Sequence, residues 1–163
     1  MTFFTKVRAA ALALLLGMAS PALALDRNEA EAVVRIMEQL ARESGEGMVQ
    51  DAGAIFYDYD SLGNSLIPAA GFDKASWIAA YEAVTAGYMA TIPQDEFDAI
   101  FAEPLAQLEA SNLPEDQKAM LREHVDGLIA EARQVRQSGA VHADTVRPFA
   151  DRLYPLFYGE FGE

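Results

Sequence analysis

The sequence predicts an all-α fold: a small antiparallel bundle of five or six helices with a C-terminal helical hairpin. Three observations predict it. Beyond its first 24 residues the chain is rich in Ala, Leu, Glu and Gln, with short breaks at Gly and Pro. Its apolar residues recur at three- and four-residue intervals, the period of a helix with one buried face. No long run alternates apolar and polar residues as a half-exposed strand would. At 163 residues the chain is the length of one domain.

Residues 1–24 read as a secretory leader. Lys6 and Arg8 precede an unbroken apolar run from Ala9 to Met18, and Ala22-Leu23-Ala24 offers a small-x-small cleavage site. The run is shorter than the roughly 20 residues a membrane span needs. Cleavage would leave a helical domain over residues 25–163 with no membrane span. That domain would be more acidic than the whole-chain net charge of −13, because the leader carries two bases and no acid. The absence of Cys excludes disulfide scaffolds and thiolate chemistry. No Asn is followed by Ser or Thr two residues on. Both traits fit a bacterial periplasmic or secreted protein. The acidic balance argues against nucleic acid as a partner.

The first expected helix covers Arg27–Glu43. Asp26 and Glu29 have capping-box spacing, and Ala30, Val33, Val34, Met37, Leu40 and Ala41 form one stripe. Ser44-Gly45-Glu46-Gly47 ends it. Met48–Tyr59 supports either a short helix or a short strand. A helix is favoured, because one strand without a partner leaves its backbone groups unpaired. Ser61–Gly71 reads as a loop. Asp73 caps a helix over Lys74–Ala90, and Pro93 opens another, in which Pro104 predicts a kink. Pro114 precedes a helix over Glu115–Gln137, with Leu121, Val125, Leu128, Ala132 and Val135 as its apolar seam. A final helix is expected over Ala143–Tyr158, bent at Pro148 and Pro155.

Charge is unevenly placed. No Lys or Arg occurs from Ala75 to Gln117, which holds eight acids: Glu82, Asp95, Glu96, Asp98, Glu103, Glu109, Glu115 and Asp116. Lys118, Arg122, Arg133, Arg136, Arg147 and Arg152 follow. Either these bases pack against the acidic middle, or the acids form a face for a basic partner.

The candidate chemistry is sparse. Asp58, Asp60 and Asn64 sit in an Asp-x-Asp…Gly-Asn turn that partly resembles the spacing of a calcium loop. Leu62, Ser65 and Ala69 occupy positions where an EF-hand needs other residues, so the choice is a weak irregular calcium site or a polar helix end. No other cofactor is expected. His124 and His142 are the only imidazoles, and His124 flanks the apolar seam. No nucleophile elbow, zinc-protease motif, phosphate loop or dinucleotide fingerprint is present. The aromatics form two sets, one including Tyr57, Tyr59, Trp77, Tyr81 and Tyr88, the other Tyr154, Phe157 and Tyr158. Such residues suit a core or a binding surface. The terminal segment is too apolar for a free tail and should either dock or present a partner-binding edge.

Together these features favour an exported binding protein whose partner is another envelope protein, in an adaptor, chaperone-like or inhibitor role. One alternative is a small-molecule carrier with a pocket between helices kinked at Pro104, Pro148 and Pro155. Another is a metal-dependent sensor or enzyme using His124 or the Asp58–Asn64 turn.

Overall fold

The computed structural model describes residues 25–45, 47–49 and 51–159. The expected leader, residues 1–24, lies outside the described residues. The described chain is all-helical, as expected. In chain order it forms α1 (Arg27–Ser44), α2 (Gly53–Ser61), α3 (Leu66–Ala69), α4 (Lys74–Thr91), α5 (Gln94–Ala110), α6 (Glu115–Gly139), α7 (Ala143–Val146) and α8 (Ala150–Tyr158). Single 3₁₀ turns at Ala140–His142 and Arg147–Phe149 flank α7.

Local chemistry sets the ends of α1 and α4. The Glu29 amide donates to Asp26 Oδ1 at 2.8 Å, and Gly45 closes α1 in the left-handed conformation at φ 68°. At α4 the capping box is complete: the Ser76 amide donates to Asp73 Oδ1 at 2.7 Å, and the Asp73 amide donates to Ser76 Oγ at 3.0 Å. These bonds hold the Asp73 carboxyl below its usual range.

Helix α4 is the central element. Its only charged residues are Lys74 and Glu82, and a helix that is apolar nearly all round is stable only when surrounded. It touches α1, α2, α6, α7 and α8. Trp77, Tyr81 and Val84 are fully buried, packed with Val33, Val34, Met37 and Leu40 of α1 and Leu153 and Leu156 of α8.

Two glycines let helices approach α4 closely. A Cβ on Gly139 would lie 1.9 Å from the Ala86 carbonyl oxygen. One on Gly87 would lie 2.8 Å from Val146 Cγ2 and 3.0 Å from His142 Cβ. The first glycine brings the end of α6 onto α4, and the second admits α7.

Helices α5 and α6 form an antiparallel pair. Arg122 pairs with Glu109, and Arg133 approaches Asp98 at 3.8 Å. Moving up α6 by eleven residues therefore moves down α5 by eleven. This pairing accounts for part of the uneven charge: Asp98 and Glu109 of the middle segment meet Arg133 and Arg122 of α6. The expected seam of α6 is only partly covered. Val125, Ala132 and Val135 are half-buried, whereas Leu121 and Leu128 are exposed. The main core comes from α1, α2, α4, α7 and α8 together with Ile67 of α3.

Three expectations are refined. Met48–Tyr59 resolves as an approach segment and α2. The Ser61–Gly71 loop contains the short helix α3, whose Ile67 is fully buried. The expected Ala143–Tyr158 helix is broken into α7, a 3₁₀ turn and α8. Pro148 stands in that 3₁₀ turn and has no amide proton to continue the α-helical ladder. Pro104 and Pro155 lie inside their helices without ending them. After Gly139 the chain reverses, and α7 and α8 return over α4 and α1.

Candidate functional site

The structure divides the aromatic residues into two groups with different surroundings. Trp77 and Tyr81 are fully buried. The Trp77 indole donates to the Gly53 carbonyl at 2.9 Å, and its ring lies 5.7 Å from that of Tyr81 and 5.8 Å from that of Phe72. The Tyr81 hydroxyl donates to the Val49 carbonyl, and burial raises its pKa. These side chains hold α2 and its approach segment to α4. Tyr57 is half-buried with the Lys74 ammonium 5.8 Å from its ring centroid, and Tyr59 is exposed.

The second group is built differently. Tyr88, near the end of α4, lies against α8, where Phe157 stacks on it at 5.3 Å with an interplanar angle of 13°. One turn apart on α8, Tyr154 and Tyr158 stand side by side, their ring centroids 5.4 Å apart. The start of α5 contributes Glu96 and Ile100, and Ile92 comes from the α4–α5 connection. Tyr88, Ile92, Glu96, Ile100, Tyr154 and Tyr158 line an open cleft of about 240 Å³.

The cleft has one deep polar atom. Tyr88 is only 4% exposed, yet its hydroxyl has no hydrogen-bond partner among the described residues. No described side-chain polar atom is both enclosed and unpaired, so this hydroxyl reaches solvent where Tyr88 borders the cleft. Burial, with Tyr158, Tyr154 and Glu96 nearby, pushes its pKa up to about 12. At neutral pH it is an O–H that can both donate and accept. Tyr154 and Tyr158 are 61% and 44% exposed. Burial and Tyr154 raise the Tyr158 pKa.

The calcium-loop candidates have local roles. Both oxygens of the buried Asp60 carboxylate accept backbone amides, Oδ1 from Leu66 and Oδ2 from Ile67, each at 2.9 Å. Asp60 thereby caps α3. Asp58 pairs with Lys74 at 2.6 Å, and Asn64 is exposed in the turn. Among the described residues no group of three or more His, Asp and Glu is arranged to hold a metal ion. His124 is exposed on α6. His142 is half-buried and borders a hollow of about 440 Å³ between α4 and α6, with Asp51, Glu82, Thr85 and Val135.

The sequence marks Tyr88, Tyr154 and Tyr158 as candidate site aromatics and Glu96 as one acid of a possible face for a basic partner, but it links neither Ile92 nor Ile100 to a site. The available signal was weak: Glu96 and Ile100 share a helix face at i,i+4, as do Tyr154 and Tyr158. Nothing in that spacing tells that the two faces meet. No protein-family model, curated protein or solved structure matches this chain.

Proposed function

We propose that this protein is an exported binding protein that engages a polypeptide partner of the cell envelope through the tyrosine cleft. The observation that carries the reading is a cleft shared by the exposed rings of Tyr154 and Tyr158 and by Tyr88, whose hydroxyl has no partner among the described residues and reaches solvent there. Tyrosines of this kind combine apolar area with a polar tip at low conformational cost, which is why they concentrate in protein interfaces. Fixed on α8 by the Tyr88–Phe157 stack, they form a preorganised edge. The adaptor, chaperone-like and inhibitor roles all use such an edge.

A photo-crosslinking amino acid at position 154 tests this in the exporting cell. The expected result is a discrete protein adduct from position 154 and none from position 62, where Leu62 is 90% exposed in the α2–α3 turn. Equal labelling from both positions, or no adduct from 154, overturns the reading.

A small-molecule carrier is the second reading. The hollow between α4 and α6 supports it, since about 440 Å³ lies within the roughly 300–1,000 Å³ range of ligand pockets. Native mass spectrometry of the protein purified from its own envelope fraction separates the two. A bound mass of a few hundred daltons favours the carrier, and a bound protein favours the interface.

A further inference from the structure

We propose that the tyrosine cleft receives a cationic side chain, arginine or lysine, from the partner polypeptide. This inference rests on the interface reading and names what enters the site. The cleft volume of about 240 Å³ is below the usual range for a drug-sized ligand and suits a single large side chain.

Its chemistry is divided along its length. Ile92 and Ile100 supply aliphatic wall, and Tyr154 and Tyr158 supply ring faces and hydroxyls. Glu96 is the one charged residue lining it. An arginine or lysine has the matching shape, an apolar stem with a charged head. The stem can lie along the isoleucines while the head meets the Glu96 carboxylate and the tyrosine faces, which attract cations. The Tyr88 hydroxyl can accept a hydrogen bond from the head group.

The protein's own bases leave this position open. Among the described residues Glu96 has no ion-pair or hydrogen-bond partner. The nearby bases of α6 are committed elsewhere. Arg136 donates to the Met89 carbonyl at 3.0 Å and lies 5.2 Å from the Phe97 ring centroid, and Arg133 approaches Asp98. The net charge of −13 adds a long-range preference for a basic partner.

The test titrates the purified protein with two heptapeptides that differ only at the centre. One carries arginine between leucines, and the other carries citrulline, its neutral isostere. Amide shifts of residues 96–100 and 154–158 report binding. The arginine peptide should bind about tenfold more tightly than the citrulline peptide, as one cation–π contact with a carboxylate partner would give. Glu96→Gln should remove most of that difference while leaving the melting temperature unchanged. Equal affinities would show that the cleft binds peptide without choosing a cation, which overturns this inference and spares the interface reading. No binding of either peptide, alongside a protein adduct from position 154, also overturns the cation and spares the interface. An adduct of twice the protein's own mass would make a second copy the occupant and overturn it as well.

Discussion

Arg152 on α8 grips Glu38 on α1, with Nε 2.8 Å from Oε1 and a terminal guanidinium nitrogen 2.8 Å from Oε2. Both planar groups are engaged in parallel, the geometry that makes arginine–carboxylate pairs directional. The guanidinium lies 5.8 Å from the centroid of the Phe149 ring. This pair ties the last described helix to the first.

The hydrogen bond from Arg152, followed by its charge, holds the Glu38 carboxyl below its usual value. A folded-state pKa below the unfolded one contributes stability above the unfolded value, and that stability is lost as pH falls through the folded value. Glu38→Gln should therefore melt below wild type at pH 7, by an amount equivalent to about 1 kcal/mol for a half-exposed pair. The difference should begin to narrow below the ordinary glutamate value, about 4.3, and shrink further as pH falls through the lower folded value. Thermal melts at pH 7 and pH 3 check it. A gap at pH 3 as large as that at pH 7 would assign the loss to packing instead.

Tyrosines give the opposite trend in alkali. Burial raises the pKa of Tyr81 and Tyr158 and moves that of Tyr88 to about 12. As pH rises past about 10 the unfolded chain releases these protons while the folded chain keeps them, so stability falls. An absorbance titration of the six tyrosines should show a delayed fraction that ionises with unfolding. Tyr88→Phe should shallow the loss of stability between about pH 10 and 12.

Two glycines of α6 should respond to alanine with opposite signs. At Gly139 the new methyl would meet the Ala86 carbonyl, so Gly139→Ala should destabilise by about 1–3 kcal/mol. Nothing lies within 4 Å of a Cβ at Gly127, so Gly127→Ala should stabilise by up to about 1 kcal/mol through helix propensity. Denaturant midpoints of the two variants give the comparison. The same sign for both would refute the close α4–α6 approach.

Asp58 and Asp60 are two residues apart and should differ as strongly. Asp60→Ala leaves two amides at the start of α3 without their acceptor and should cost about 1–3 kcal/mol or more in chelator-treated protein. Asp58→Ala removes one exposed ion pair with Lys74 and should cost less than about 1 kcal/mol. Chemical denaturation with and without calcium checks both. A loss at Asp60 that appears only with calcium present would reassign that carboxylate to a metal.

The helices were legible because their ends are encoded nearby. Asp26, Gly45, Asp73, Pro93 and Pro114 stand within a residue or two of the boundaries they mark. The short helix α3 was not legible. Its N-terminal amides are satisfied by Asp60, six and seven residues back, rather than by an adjacent cap. The extent of burial on α6 was not legible either. Its seam repeats like that of a fully packed helix, yet Leu121 and Leu128 remain exposed while Val135 is half-buried. Periodicity states which face is apolar, not how far along the helix a neighbour covers it.

The candidate site shows the same division. The sequence by itself determined the all-helical class, the boundaries of the long helices with adjacent caps, and the supply of aromatic residues. Those properties depend on neighbours within a turn or two. Only the tertiary structure decided which aromatics are core and which line a cleft. Trp77, Tyr81 and Tyr88 lie on one helix, yet the first two are enclosed beside α2 and the third borders open space beside α8. Tyr88 stacks on Phe157 and shares a cleft with Tyr158 because Gly139 and Gly87 let the chain turn back tightly over α4. The cleft joins the contiguous α4–α5 stretch from Tyr88 to Ile100 with α8, far away in sequence, and the relation between them is set by how helices pack rather than by any local preference.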